Sequence, residues 1–271
     1  MTSAVRAPAV AGRFYPRRAD ELVRDLHAYM PNDKAERVSA IGCIAPHAGY
    51  MFSGHVAGAV YARLEIPQHC VILCPNHTGM GVPLALMTAA TWQTPLGSVP
   101  TDAELGAALR QRFPSLEEDS AAHRSEHAIE VQLPFLQARR GDLSFVPIVI
   151  GTSDFKVLHE LGEALGDAIL QQPHRVLIIA SSDMNHYESD AITRIKDHKA
   201  IARVLALDAR GLWEVVMNDD VSMCGFGPAI VMLTAAKRLG ATSSELVKYA
   251  TSGDVSGDRD QVVGYAGIVV K

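Results

Sequence analysis

Three histidines in this 271-residue chain stand in the same local setting. His47 follows Ile44-Ala45-Pro46, His77 follows Leu73-Cys74-Pro75-Asn76, and His186 follows Ile179-Ala180-Ser181-Ser182-Asp183-Met184-Asn185. Each comes just after a short apolar run that reads as a buried strand. Imidazole ligates zinc, copper and iron and titrates nearest neutral pH, so such a group could hold a metal ion or move protons. One histidine at a strand end is weak evidence, because it often only satisfies a hydrogen bond in a turn. Three in the same setting can converge on one cleft if their strands are neighbours, since ligands of open α/β sheets bind outside the carboxyl ends of the strands. Pro46 and Pro75 are placed to stop the strand ladders before His47 and His77. Gly49 and Gly79 allow tight turns beside them.

Cys224 lies in Ser222-Met223-Cys224-Gly225-Phe226-Gly227-Pro228, before a helical pattern over 227–239 whose first turn suits Pro228. A helix N-terminus favours a thiolate, which can ligate a metal or act as a nucleophile. The plainer reading is a small residue filling a tight turn. Glu126, ahead of His127, could cap a helix or orient a histidine in the cleft. Glu130, one turn on, could equally be a surface charge, and Arg13-Phe14-Tyr15-Pro16 could line a pocket or pack it. The other histidines (His27, His55, His69, His123, His159, His174 and His198) have no partner nameable from sequence and read as surface or core-filling. Cys43, Cys70 and Cys74 lie in apolar runs and read as reduced core residues. On one strand Cys70 and Cys74 would be about 13 Å apart, too far for a disulfide.

The elements that must position these residues alternate. Apolar runs at 38–45, 70–74, 84–87, 143–150, 176–180, 246–250 and 262–270 read as strands, most of them apolar on both faces. Helical patterns fall at 20–30, 53–64, 101–113, 126–139, 155–171, 191–206, 211–217 and 227–239. The helix at 101 opens on a capping-box pattern, Thr101-Asp102-Ala103-Glu104, and Pro134 should kink or shorten the one at 126. Residues 92–101 read as a turn or antiparallel hairpin, which would make the sheet a mixed one. The alternation predicts a layered α/β/α fold with a central mixed, mainly parallel sheet. With no repeat and no linker, it also predicts a single domain over 1–271.

Hydrophobic residues make up 48% of the chain, enough for a sizeable core. The net charge of -5 and the absence of a basic face argue against nucleic acid. No apolar run is long enough to cross a bilayer, and the stretch Met1 to Pro8 lacks a signal-peptide core, which predicts a cytoplasmic protein.

Taken together and in order, Ala11-Gly12-Arg13-Phe14-Tyr15-Pro16, Ala45-Pro46-His47-Ala48-Gly49-Tyr50, Pro75-Asn76-His77, Glu126-His127-Ala128-Ile129-Glu130, Ser181 to His186, and Cys224-Gly225 resemble the Memo-like family, called AmmeMemoRadiSam system protein B in prokaryotes. The resemblance implies a fold related to class III extradiol ring-cleavage dioxygenases, which hold Fe(II) with two histidines and a carboxylate. It implies His47, His77 and Cys224 as ligands of one transition-metal ion, with Cys224 in the carboxylate's place. Iron or copper is then expected, with zinc as an alternative, since a thiolate is softer than a carboxylate. His186 would match the acid/base histidine, with Asp183 holding its ring. Phe226 and Gly227 depart from the basic residues of animal relatives. The implied partners are a small-molecule or peptide ligand in the cleft and other AmmeMemoRadiSam system proteins. Three functional readings stay open beside a metal-dependent redox protein: a non-catalytic binding module, a cysteine hydrolase on Cys224, His186 and Asp183, and a zinc hydrolase.

Overall fold

The computed structural model describes residues 4–30 and 37–271, so the first three residues of the N-terminal stretch considered above lie outside it. The elements in order are β1 (Ala4–Arg6), α1 (Ala19–Tyr29), β2 (Gly42–Ala45), α2 (Tyr50–Arg63), β3 (His69–Pro75), β4 (Leu84–Leu86), β5 (Ala90–Thr94), β6 (Gly97–Pro100), α3 (Ala103–Arg112), β7 (Glu117–Glu118), α4 (Ser120–Arg124), a 3-10 turn (Glu130–Gln132), α5 (Leu133–Arg139), β8 (Ser144–Ile150), α6 (Phe155–Leu170), β9 (Val176–Ser181), β10 (His186–Glu188), α7 (Asp190–Leu205), α8 (Ala209–Asn218), α9 (Phe226–Arg238), β11 (Ser244–Thr251), α10 (Gly253–Ser256) and β12 (Val262–Val270).

The main sheet runs β10-β12-β2-β9-β3-β8-β4-β7, with β11 also paired to β12. Its four central strands, β2, β9, β3 and β8, are parallel. Antiparallel pairs flank them, β12 on β2 and β4 on β8. The expected layered α/β fold with a mixed sheet is therefore what the chain adopts. Each central strand is apolar on both sides because both sides are covered. Val71 and Leu73 of β3 face one core with α6 and α9, while Cys70, Ile72 and Cys74 face the other with α1, α2 and α5. The strand alternation thus sorts a near-continuous apolar run between two helical layers. Cys43, Cys70 and Cys74 are buried and free, as expected. No helix among the described residues is long and apolar enough to cross a membrane.

Four expectations are corrected. The hairpin β5-β6 does not join the main sheet but pairs with β1 in a separate three-stranded sheet. The cap of α3 is Asp102, whose carboxylate accepts from Leu105 N; the Thr101 hydroxyl instead faces the backbone carbonyls of Thr88 and Ala90 as donor. No continuous helix spans 126–139. The chain stays irregular after α4, makes one 3-10 turn and becomes helical at Leu133, with Pro134 in the first turn where its missing N–H costs nothing. Finally, Pro75 does not interrupt its ladder, because β3 pairs with β8 through Pro75↔Ile150.

Candidate metal centre

Sheet order decides whether the three strand-end histidines meet. β9 lies between β2 and β3, so the carboxyl ends that carry His47, His77 and the Ser181–His186 segment are adjacent. Cys224 reaches the same place from the turn before α9. Gly225 lets it: a Cβ there would fall 2.5 Å from Ser181 O and 2.4 Å from Ser182 Cβ, and its N–H donates to Ser182 Oγ at 3.1 Å. Only glycine fits so close an approach. One ligand atom from each of His47, His77 and Cys224 lies within 4.8 Å of the other two.

The hydrogen bonds assign which ring nitrogen is free. Ser181 Oγ donates to Ala128 O at 2.7 Å and accepts from Gln132 Nε2 at 2.8 Å. Gln132 is itself oriented, because its Nε2 also faces Pro46 O while its Oε1 accepts from Tyr61 OH. With its one proton committed, Ser181 Oγ can only accept from His47 Nδ1 at 2.9 Å. His47 therefore carries its proton on Nδ1 and presents the lone pair of Nε2, which lies 3.2 Å from Cys224 Sγ. His77 is handled the same way by a carboxylate. Its Nδ1 donates to Glu126 Oε1 at 2.9 Å and its backbone N–H to Glu126 Oε2 at 2.7 Å, which leaves Nε2 as the ring atom available to a cation. A histidine backed by a carboxylate through Nδ1 is the usual support of a metal-ligating imidazole.

His186 sits at the rim. Its Nδ1 is 2.8 Å from Ser222 O, a carbonyl that can only accept, so Nδ1 carries a proton and donates to it. The expectation that Asp183 holds this ring is corrected: the ring is held by Ser222, and Asp183 instead accepts the His47 backbone N–H at 2.8 Å. Asn185 ties the two loops together, accepting from Ser222 N at 3.0 Å.

The electrostatics are those of a shielded cluster. Burial, then the neighbouring His77, His127 and His186, hold the His47 pKa well below the ordinary imidazole value, so it is neutral at pH 7. On His77 burial opposes the charge, but the Glu126 hydrogen bond and carboxylate outweigh it and raise the pKa. Burial pushes Asp183 up to about 6, against the pull of His47 N–H, His186 and His77. Burial also pushes the Cys224 thiol well above its ordinary range, and the Asp183 charge adds to this. The thiolate expected from the helix terminus is therefore reversed while no cation is present. A bound cation would restore it, because a coordinating thiol is deprotonated outright. The cysteine-hydrolase reading loses its geometry as well, since the imidazole beside Cys224 is His47.

The donor set fits a transition-metal ion. The neutral His47 imidazole, the Glu126-held His77 imidazole and one thiol converge, a cation displacing any proton on His77 Nε2, and the 3.2 Å between Sγ and the His47 Nε2 is close to the roughly 3.6 Å that separates sulfur and nitrogen in a tetrahedral zinc shell.

Sequence reasoning missed His127 as a cleft residue. Its ring stacks on His77 with centroids 4.8 Å apart and meets His47 edge-on at 5.5 Å. Burial lowers its pKa to about 4, and with His77 and Glu126 it forms a second candidate ligand group. The only signal was its place beside Glu126. Of the two readings of Glu126, orienting a histidine is the one realised. Glu130 is fully buried, not a surface charge: it pairs with Arg6 and accepts from Ala9 N, Val10 N and Tyr15 OH. Phe14 from the Arg13–Pro16 segment packs edge-on against His127 at 4.7 Å.

A family model described as Memo-like protein matches residues 6–269. A MEMO1 family protein from Methanopyrus kandleri is 46% identical over 279 aligned positions, covering 98% of this chain and 99% of that one. MEMO1 family proteins from Pyrobaculum aerophilum and Methanosarcina mazei are 42% and 43% identical, each with 98% of this chain covered and with 98% and 99% of their own. Among solved structures, an uncharacterised protein from Escherichia coli K12 superposes with a TM-score of 0.53 at 14% identity, over 82% of this chain and 98% of that one, which shows a shared fold.

Proposed function

This chain belongs to the Memo-like protein family, and we propose that it is a metal-dependent redox protein of the dioxygenase type that holds one ion on His47, His77 and Cys224. The observation that carries the reading is the pair of fixed tautomers. Ser181 and Glu126 hold the Nδ1 protons of His47 and His77, which leaves Nε2 of each ring for a cation, that of His47 3.2 Å from the Cys224 sulfur. An iron or copper ion bound there would supply Lewis-acid and one-electron chemistry.

The chain's own residues do the rest. Side-chain exposure is 33% at His77 against 2% at His47, so the cleft opens to a small molecule on the His77 side. The His186 Nδ1 proton is held by Ser222 O, which fixes the ring and leaves Nε2 as the atom that would exchange a proton with a bound substrate. Asp183, raised to about 6, keeps a negative charge near the centre at neutral pH and fixes the His47 backbone.

The test is oxygen consumption by protein loaded anaerobically with Fe(II) or Cu(I), over a panel of small aromatic and thiol substrates, beside His186→Gln. Substrate-dependent uptake that falls at least about 100-fold in His186→Gln, with metal retained, is the expected result, in the range of a lost general base. Metal bound without any uptake would move the protein to a ligand-binding role in the same cleft.

A further inference from the structure

At the opposite end of the parallel strands, three side chains that the cleft does not use come together. His69 opens β3, where the ladders set it level with Ser144 at the start of β8 and Val176 at the start of β9. Asp102 caps α3: its Oδ1 accepts from Leu105 N at 3.1 Å, and its own N–H donates to Phe145 O at 2.8 Å. Its Oδ2 accepts from His69 Nδ1 at 2.6 Å, and Ser144 Oγ lies 3.2 Å from the same nitrogen. His174, in the turn leading into β9, lays its ring over His69 with centroids 3.7 Å apart and planes 23° from parallel. One ligand atom from each of the three lies within 4.8 Å of the other two. β3 alone puts roughly 20 Å between this group and the Cys224 cleft.

We propose that His69, Asp102 and His174 form a second cation site, selective for borderline divalent ions of the Zn(II), Ni(II) and Cu(II) class and independent of the cleft. The donor set argues for that class. Two imidazoles and one carboxylate suit these ions, whereas Mg(II) and Ca(II) ask for oxygen shells. Three protein ligands leave a position for water or a small anion.

Preorganisation argues for a site and not a chance cluster. Asp102 is fixed by the helix it caps and His69 by two strand ladders, so both hold their places before any ion arrives. An ion would replace the proton that His69 Nδ1 shares with Asp102, and His174, which is exposed, would turn out of its stack on His69. Access is direct, with 21% of the His69 side chain and 10% of the Asp102 side chain exposed. An ion held there would clamp the entry to β3, the entry to β9 and the first turn of α3 to one another. It would therefore stabilise the folded chain by mass action.

The experiment is Zn(II) binding to chelator-stripped full-length protein by equilibrium dialysis, with melting temperature as a second readout, for wild type, His174→Ala and Asp102→Asn. His174 is exposed, and asparagine caps helices as well as aspartate does, so neither change burdens the fold. The expected result is that each variant loses one equivalent of Zn(II), or binds it at least about tenfold more weakly as for a lost ligand, and loses that part of the Zn(II)-induced rise in melting temperature. A Zn(II)-soaked crystal should show an anomalous peak against His69. Equal stoichiometry and affinity in wild type and His174→Ala would overturn the proposal and leave these residues as a stacked, hydrogen-bonded surface cluster. The comparison between variants reads the same whether or not the cleft binds metal.

Discussion

At the scale of single residues, the site depends on groups that never touch a ligand. Glu126 is fully buried, yet its pKa is lowered: burial acts to raise it, and is outweighed by the His77 hydrogen bond, the His77 charge and the Ala128 N–H. It fixes both the ring and the backbone of His77. Glu126→Gln keeps the shape and removes the charge that makes the imidazole a better donor. Metal affinity is expected to fall by about 10- to 100-fold with little change in circular dichroism, the range for such supporting residues. Titration with a competing chelator checks this, and unchanged affinity would mean that Glu126 serves only the fold.

At the scale of elements, the pattern of proline, histidine and glycine after apolar runs was legible because strand ends have a strong local signature. His47 and His77 were found that way, and His186 from the apolar run of β9 before it. What sequence could not supply was sheet order, and the site exists because β9 sits between β2 and β3. Residues whose role is set by distant partners were also hidden. Glu126 and Glu130 look like ordinary helix charges in Glu126-His127-Ala128-Ile129-Glu130, yet the chain is irregular up to the 3-10 turn at Glu130 and both carboxylates bind partners distant in sequence. β1 escaped notice because three residues leave no periodicity to read. Arg6 at its end makes a buried pair with Glu130, while Ala9, Val10 and Tyr15 donate to the same carboxylate. That carboxylate thus pins the N-terminal segment to the wall beside His127. Glu130→Leu would strand the Arg6 charge and three donors, at an expected cost of about 3–5 kcal/mol in urea unfolding. A loss below about 1 kcal/mol, the level of a surface pair, would contradict the assigned role.

At the scale of the whole molecule, acid sensitivity should trace to buried neutral imidazoles. His123 is fully buried against Trp92, with no hydrogen-bond partner for either ring nitrogen, and burial followed by the Arg6 charge lowers its pKa to about 4. The unfolded chain takes up this proton near pH 6.5, while the folded chain resists it down to about pH 4. The contribution of His123 is thus fully present above pH 6.5 and lost progressively as pH falls toward 4, by roughly 3 kcal/mol. Asp183 and Asp197, both raised to about 6 by burial, act in the opposite sense, since the fold binds their protons more tightly than the unfolded chain does. Total stability therefore mixes the two effects, and the informative quantity is a difference. The stability of His123→Leu relative to wild type should rise by about 3 kcal/mol between pH 6.5 and 4. Parallel profiles would show that His123 is not the neutral buried group described.

The proposed function turns on one ion at the ends of β2, β3 and β9, and metal content tests that most directly. Protein purified without added metal or chelator would be analysed by elemental mass spectrometry beside Cys224→Ser and His47→Ala. Near-stoichiometric iron or copper in the wild type, lost in both variants while the fold persists, is the predicted result. Equal metal in all three proteins, or none in the wild type even after anaerobic loading, would contradict a centre built on His47, His77 and Cys224.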